Sequence, residues 1–151
     1  MSRIRAVTAR IETIVEALTP ETPLSAARFR YVTGAPGQPL QLRQFAVAPT
    51  GSTRWFDTFP QASPGSMVAE GFQVVVGYPA AHPDRNLRDV IREDALAIQH
   101  ALLHPDNWDD GDATRSEIRE VGDYSVEWTA ENEQLTGAEV TIPVTVRYRP
   151  F

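Results

Sequence analysis

The sequence contains no cysteine. That removes disulfides, thiolate nucleophiles and cysteine-ligated zinc or iron–sulfur sites, and it suits a reducing compartment. Lysine is also missing: all 14 basic residues are arginine. A Schiff-base lysine, a P-loop lysine and a Ser–Lys dyad are thereby excluded. A GC-rich genome is the plainest cause, and every basic contact can then be planar and bidentate. Positive charge is scarce overall, with a formal net charge of −6 and a pI near 5.0. No block of the chain is strongly basic, which disfavours sequence-specific or general nucleic-acid binding. No apolar run reaches membrane-spanning length. The first twelve residues, MSRIRAVTARIE, carry charge throughout and lack a signal-peptide core. A soluble chain made in a cytoplasm is the expectation. The glycines are scattered singly, so no phosphate-cradling loop and no Gly-x-Ser-x-Gly elbow is present. No cofactor signature appears, and no cofactor is expected.

What is present reads as one domain over residues 1–151. A chain of this size buries roughly 68–70% of its unfolded surface, enough for a core without staples. The clearest element is 84–103, DRNLRDVIREDALAIQHALL. Leu87, Val90, Ile91, Ala95, Ile98, Ala101 and Leu102 recur on a 3.6-residue period, and Arg85, Arg88, Asp89, Arg92 and Glu93 fall on the other side. Asp84 or Asn86 can cap its start, and Pro105 forces His104 out of the helical region. Ser2 to Leu18 reads as a second amphipathic helix, with Ile4, Val7, Ile11, Ile14 and Leu18 on one face and Pro20 beyond.

The remainder reads as strands and turns. Arg28 to Val32 is a short strand. Leu40 to Ala48 changes phase near Arg43 and Gln44, as a bulge would make it do. Pro49 to Thr53 reads as a turn, and Arg54 to Phe59 as a short aromatic segment. Met67 to Tyr78 alternates as a strand should. Thr114 to Val121 and Tyr124 to Ala130, with Gly122 and Asp123 between them, suggest a hairpin. Ala138 to Arg149 alternates most cleanly; Pro143 within it argues for an edge position or a bulge. The order gives an α+β domain, a mostly antiparallel sheet with two helices packed on one face.

The chemistry-bearing residues are few. His100 and His104 sit four apart on a helix, followed by Asp106, Asp109, Asp110 and Asp112. Hard cations bind clustered carboxylates and transition metals bind imidazole. The spacing fits neither an EF-hand nor an HExxH site, so the plainer reading is a solvated turn and no metal site is assigned. Trp108 inside this acidic loop reads as an anchor for a partner. Trp55, Phe56 and Phe59 cannot share one strand face; they form either a satellite core cluster or a contact surface. His82 at a strand-to-helix turn completes no catalytic set. No catalytic residue is assigned, and the chain is read as a non-enzyme.

With these elements placed, the chain resembles the tail terminator proteins of long-tailed bacteriophages and gene transfer agents, also called tail completion or minor tail proteins. The N-terminal helix leading into Arg-rich strands carries part of the resemblance. Phe72 to Phe151 carries the rest: FQVVVGY, the helix LRDVIREDALAIQHALL, and the terminal LTGAEVTIPVTVRYRPF. The middle, 34–66, matches nothing in that family. The resemblance implies a virion protein assembled in the host cytoplasm. It implies a homo-oligomeric ring, usually a hexamer, at the head-proximal end of the tail tube, with the tube protein and the head–tail connector or stopper as partners. A negative lumen would let DNA pass without sticking. The interface residues the sequence offers are Trp55, Phe56, Phe59, Trp108, Asp109, Asp110, Arg147 and Arg149. Two alternatives are a head–tail stopper or adaptor of the same particle, and a small metal-dependent hydrolase built on His100–Asp112.

Overall fold

The computed structural model describes residues 3–20, 28–32, 40–55, 67–79, 87–109, 116–132 and 134–149. In chain order the elements are α1 (Arg3–Glu16), β1 (Arg30–Tyr31), β2 (Gln44–Trp55), β3 (Val68–Pro79), α2 (Leu87–Leu103), a single 3-10 turn (Pro105–Trp108), β4 (Ser116–Val121), β5 (Ser125–Glu131) and β6 (Gln134–Tyr148). The strands form one six-stranded sheet in the order β1-β2-β3-β6-β4, with β5 also paired to β6. Among the described strands only the two-residue β1–β2 pairing is parallel. The α+β class and the two helices therefore stand as the periodicities imply.

One face of the sheet is the core. Val68, Phe72, Val74, Val76 and Tyr78 of β3 and Ala138, Val140, Ile142, Val144, Val146 and Tyr148 of β6 point to it. They pack with Val7, Ile11, Ile14 and Val15 of α1 and with Val90, Ile91, Ala95, Ile98, Ala101 and Leu102 of α2. Each fully buried Val, Ile or Leu contributes about 1.5–3 kcal/mol, so the α2 stripe alone exceeds what its helix propensity could supply.

α2 stops where Pro105 requires it to. His104 is extended (φ −71°, ψ 120°), and its ring Nδ1 accepts from the Asp106 amide. The following turn then caps the helix. Asn107 donates from its side chain to the Ala101 carbonyl at 2.8 Å, and the Trp108 indole donates to the Leu102 carbonyl at 2.9 Å. Two carbonyls with no intrahelical partner are thereby satisfied.

Four expectations change. The predicted β4–β5 hairpin does not form; both strands run antiparallel to β6 and lie end to end along it, β5 against 134–141 and β4 against 144–148. The true hairpin is β5–β6, turning at Asn132 with φ 49°. β6 consequently starts at Gln134 and is central, paired with β3 on its other side, so it offers no free edge. Pro143 fits there because its carbonyl accepts from the Gly122 amide at the step between β5 and β4. In an antiparallel ladder a residue's N–H and C=O point the same way, so the missing N–H falls at that step and interrupts neither ladder. The phase change at Arg43 is a turn, with Gln44 donating to the Gln41 carbonyl and Arg43 at φ 53°. The register shift lies instead between Pro49 and Thr53, inside a continuous β2 rather than at a turn between two segments.

Candidate interaction surface

One polar cluster is buried in the core. Arg43 is 0% exposed and Asp94, within the apolar stripe of α2, is 2% exposed. The Arg43 guanidinium donates through Nε to Asp94 Oδ2 at 2.8 Å and through Nη2 to Oδ1 at 2.9 Å. The Tyr78 hydroxyl donates to the same Oδ2 at 2.7 Å. Phe29 lies under the guanidinium, 5.6 Å from ring centroid to Cζ. The backbone sets this up: the Arg43 amide donates to the Gly77 carbonyl, and the Arg43 carbonyl accepts from Arg30. Burial first, then the adjacent Asp94 carboxylate, pushes the Tyr78 hydroxyl well above its ordinary value. Tyr78 therefore stays a donor. With both Asp94 oxygens occupied and no solvent path implied by its burial, the cluster ties β2, β3 and α2 together and offers no group to a substrate.

A second buried carboxylate, Glu70 on β3, accepts from the Thr53 hydroxyl. Burial, and secondarily Glu70, pushes the Tyr148 hydroxyl up to about 12. This pair also serves the core, on the helix-facing side.

The opposite face of the sheet is different. Ala46, Ala48, Gln73, Val75, Thr141 and Pro143 are half-buried or exposed, and among the described residues no element packs over them. One end of this face carries a groove of about 280 Å³ lined by Ser52, Arg54, Ala69, Gly71, Glu120, Thr145 and Arg147. Its shape follows from the irregularity in β2. At Gly71 a Cβ would collide with the Thr50 hydroxyl and meet Ser52, so glycine is what lets the β2 bulge fold across the neighbouring strand. The groove presents two guanidiniums, one carboxylate and two hydroxyls over a small-residue floor. Such a set can receive polar or charged side chains; it holds no paired nucleophile and base.

β4 separates two surfaces. Arg119, paired with Val146, points to the helix side and lies over the Trp108 ring at 5.4 Å. The next residue, Glu120, paired with Thr145, points into the groove. The Pro105–Trp108 turn and the groove therefore belong to opposite faces of one strand.

No family model matches the chain, and no curated protein matches its sequence.

The residues singled out in the sequence are distributed as follows. Trp108 is 5% exposed and part of the chain's own core. The anchor reading is thereby corrected: an indole that caps α2 and carries Arg119 is not presented to a partner. Asp109 is exposed beside it. Arg147 lines the groove, and Arg149 follows β6 on the exposed surface. Trp55 is the last residue of β2, its backbone opposite Val68. Phe56, Phe59, Asp110, His82 and Asp112 lie outside the described residues. The His100 and His104 rings are 6.0 Å apart, edge to face. Among the described residues no three His, Asp or Glu side chains are placed to share a metal ion. Sequence reasoning missed Arg43 and Asp94. The signal for Asp94 was its position four residues before Ile98 and three after Ile91, a charge in the middle of the buried stripe.

Proposed function

We propose that this chain is a non-enzymatic virion assembly protein of a long-tailed phage or gene transfer agent. It closes into a ring, a hexamer by resemblance, at the head-proximal end of the tail tube. There it stops tube polymerisation and presents the joining surface to the head connector. One observation carries the reading: the sheet is packed under two helices on one face, while among the described residues the other face, with its charged groove, is left open. A monomeric binding module needs one such surface; a ring subunit needs two that differ, because a closed ring is built from heterologous contacts. The groove and the acidic turn beyond α2 supply two, on opposite faces of β4. The net charge of −6 favours a lumen through which DNA passes without adhering.

The test is the native mass of the purified chain, alone and mixed with tail tubes, together with negative-stain images. Closed rings, free or capping tube ends, support the proposal. A chain that stays monomeric and binds no tube end sinks it. Rings bound to the connector but never to tubes would reassign the protein to the stopper or adaptor position.

A further inference from the structure

A second groove, of about 520 Å³, lies beside the other end of β3, between residues 28–30, the turn before β2 and Pro79. Burial alternates along the first of these segments: Arg28 and Arg30 are exposed, and Phe29 between them is 2% exposed. The Phe29 ring carries the buried Arg43 guanidinium, and the Arg30 amide donates to the Arg43 carbonyl. That anchoring sets Arg28 and Arg30 on one side of the segment, where both line the groove, their roots about 6.6 Å apart at the rise of an extended chain. Neither guanidinium has an acceptor among the described residues, whereas Arg54 and Arg147 of the first groove are already engaged. Gln44 adds a further donor. Its Oε1 accepts from the Gln41 amide at 2.9 Å, which leaves its Nε2 without an acceptor among the described residues. Leu42, Pro79 and the edge of Phe29 supply an apolar floor, and no carboxylate is among the described lining residues.

We infer that this groove binds a phosphate monoester, with the phosphate between Arg28, Arg30 and the Gln44 carboxamide and the organic part on the Phe29–Leu42–Pro79 floor. The inference is independent of the ring reading. Charge and donor count select the ligand class. A monoester carries about −1.5 to −2 charges at pH 7 and three strong acceptor oxygens, which matches two guanidiniums that each donate in pairs. A carboxylate brings one charge and two oxygens, and would leave donors of the rim unmet. Inorganic phosphate would satisfy the rim and leave the apolar floor in water, where a ligand with an apolar body gains from covering it. A run of nucleic-acid backbone is disfavoured by the net charge of −6, which repels every phosphate beyond the groove. A single terminal phosphate is not. The ester is therefore a small organic phosphate or the phosphorylated end of a strand, two sources of one chemistry.

The experiment is isothermal titration calorimetry of the full chain at low salt, with phenyl phosphate as the probe and inorganic phosphate and benzoate beside it. Phenyl phosphate binds tightest of the three. Arg28→Gln and Arg30→Gln each weaken it about tenfold or more, the scale of hydrogen bonds to charged groups, and the double variant removes it. Gln44→Glu keeps an acceptor for the Gln41 amide, takes away the donor and adds a repelling charge, so it also abolishes binding. All of these side chains lie at the surface or half-buried, and urea midpoints that match the wild type show that the variants are folded. An oligonucleotide with a 5′-phosphate, compared with its 5′-hydroxyl form, separates the sources. Preference for the phosphorylated strand assigns a strand end, and binding of neither strand assigns a small ester. Equal binding of both strands overturns the monoester. So do benzoate or inorganic phosphate binding as tightly as phenyl phosphate, phenyl phosphate that does not bind, or a double variant that binds it as well as the wild type.

Discussion

The Tyr78 hydroxyl donates to the same Asp94 oxygen that the Arg43 Nε holds, so one carboxylate joins the end of β3, the turn before β2 and the middle of α2. Three elements distant in sequence share one acceptor, and the ion pair is buried on both sides.

Removing that acceptor strands a guanidinium in the core. Asp94→Ala should destabilise the fold by about 3–5 kcal/mol, as breaking one side of a buried pair does. Replacing both partners with apolar side chains, Arg43→Met with Asp94→Leu, should cost less than Asp94→Ala alone, because no charge is left uncompensated. Urea denaturation of the three proteins decides this. A double variant weaker than Asp94→Ala would show the pair to be worth more than an apolar core.

Alkaline pH should weaken the fold through Tyr148. Its hydroxyl is raised from 10.0 to about 12. Between those values the folded chain holds a proton that the unfolded chain has released. Linkage then makes stability fall as pH rises from 10 towards about 12, and the contribution is fully present below 10. Tyr78 acts in the same direction. Denaturant midpoints taken across this window should decline, and Tyr148→Phe should make the decline shallower. A wild-type midpoint that stays flat through the window would contradict this account.

Trp108 and Asp109 are neighbours with opposite roles. Trp108→Ala removes a buried aromatic and uncaps the Leu102 carbonyl, and should cost about 3–5 kcal/mol. Asp109→Ala changes an exposed side chain and should stay within about 0.5 kcal/mol. Thermal or urea unfolding of both variants separates a core role for the turn from a surface role.

Gly77 lies against the chain that leads into β2. A Cβ there would sit 2.7 Å from the Leu40 carbonyl oxygen and 2.8 Å from its carbon, backbone atoms that cannot rotate aside. Gly77→Ala should therefore cost about 1–3 kcal/mol, as overpacking does. Because the Gly77 carbonyl also receives the Arg43 amide, amide exchange at Arg43 should quicken in this variant.

Both helices, the strand pattern of β3 and β6, and the α+β class were legible because burial follows periodicity. The period 3.6 of Val90 to Leu102 and the period 2 of Val140 to Tyr148 are direct records of which face meets the core. Partnership of strands is not periodic, and there the reading went astray. Gly122-Asp123 looks like a hairpin turn, yet it is a step between two strands that share a partner, and only the third strand reveals this. Pro143 suggested an edge because proline lacks a donor; it sits centrally because that donor would have faced the step. The Arg43–Asp94 pair was invisible because the residues are 51 apart and charge usually marks a surface. The groove combines residues from four strands, with no local spacing that could signal it.

β6, the strand that holds the sheet together, follows every other described strand. A ribosome therefore exposes β2 and β3 as an incomplete hairpin whose β3 edge, rich in Val74, Val75 and Val76, faces outward until residues 134–148 emerge. During that interval the same edge can accept a strand from a neighbouring nascent chain, a recognised route to aggregation. β4 and β5 wait as well, since both find their partner only in β6. Closure of the sheet thus waits for β6, after all its partner strands have been made, and a polysome producing many copies at once is where this fold is most exposed to error.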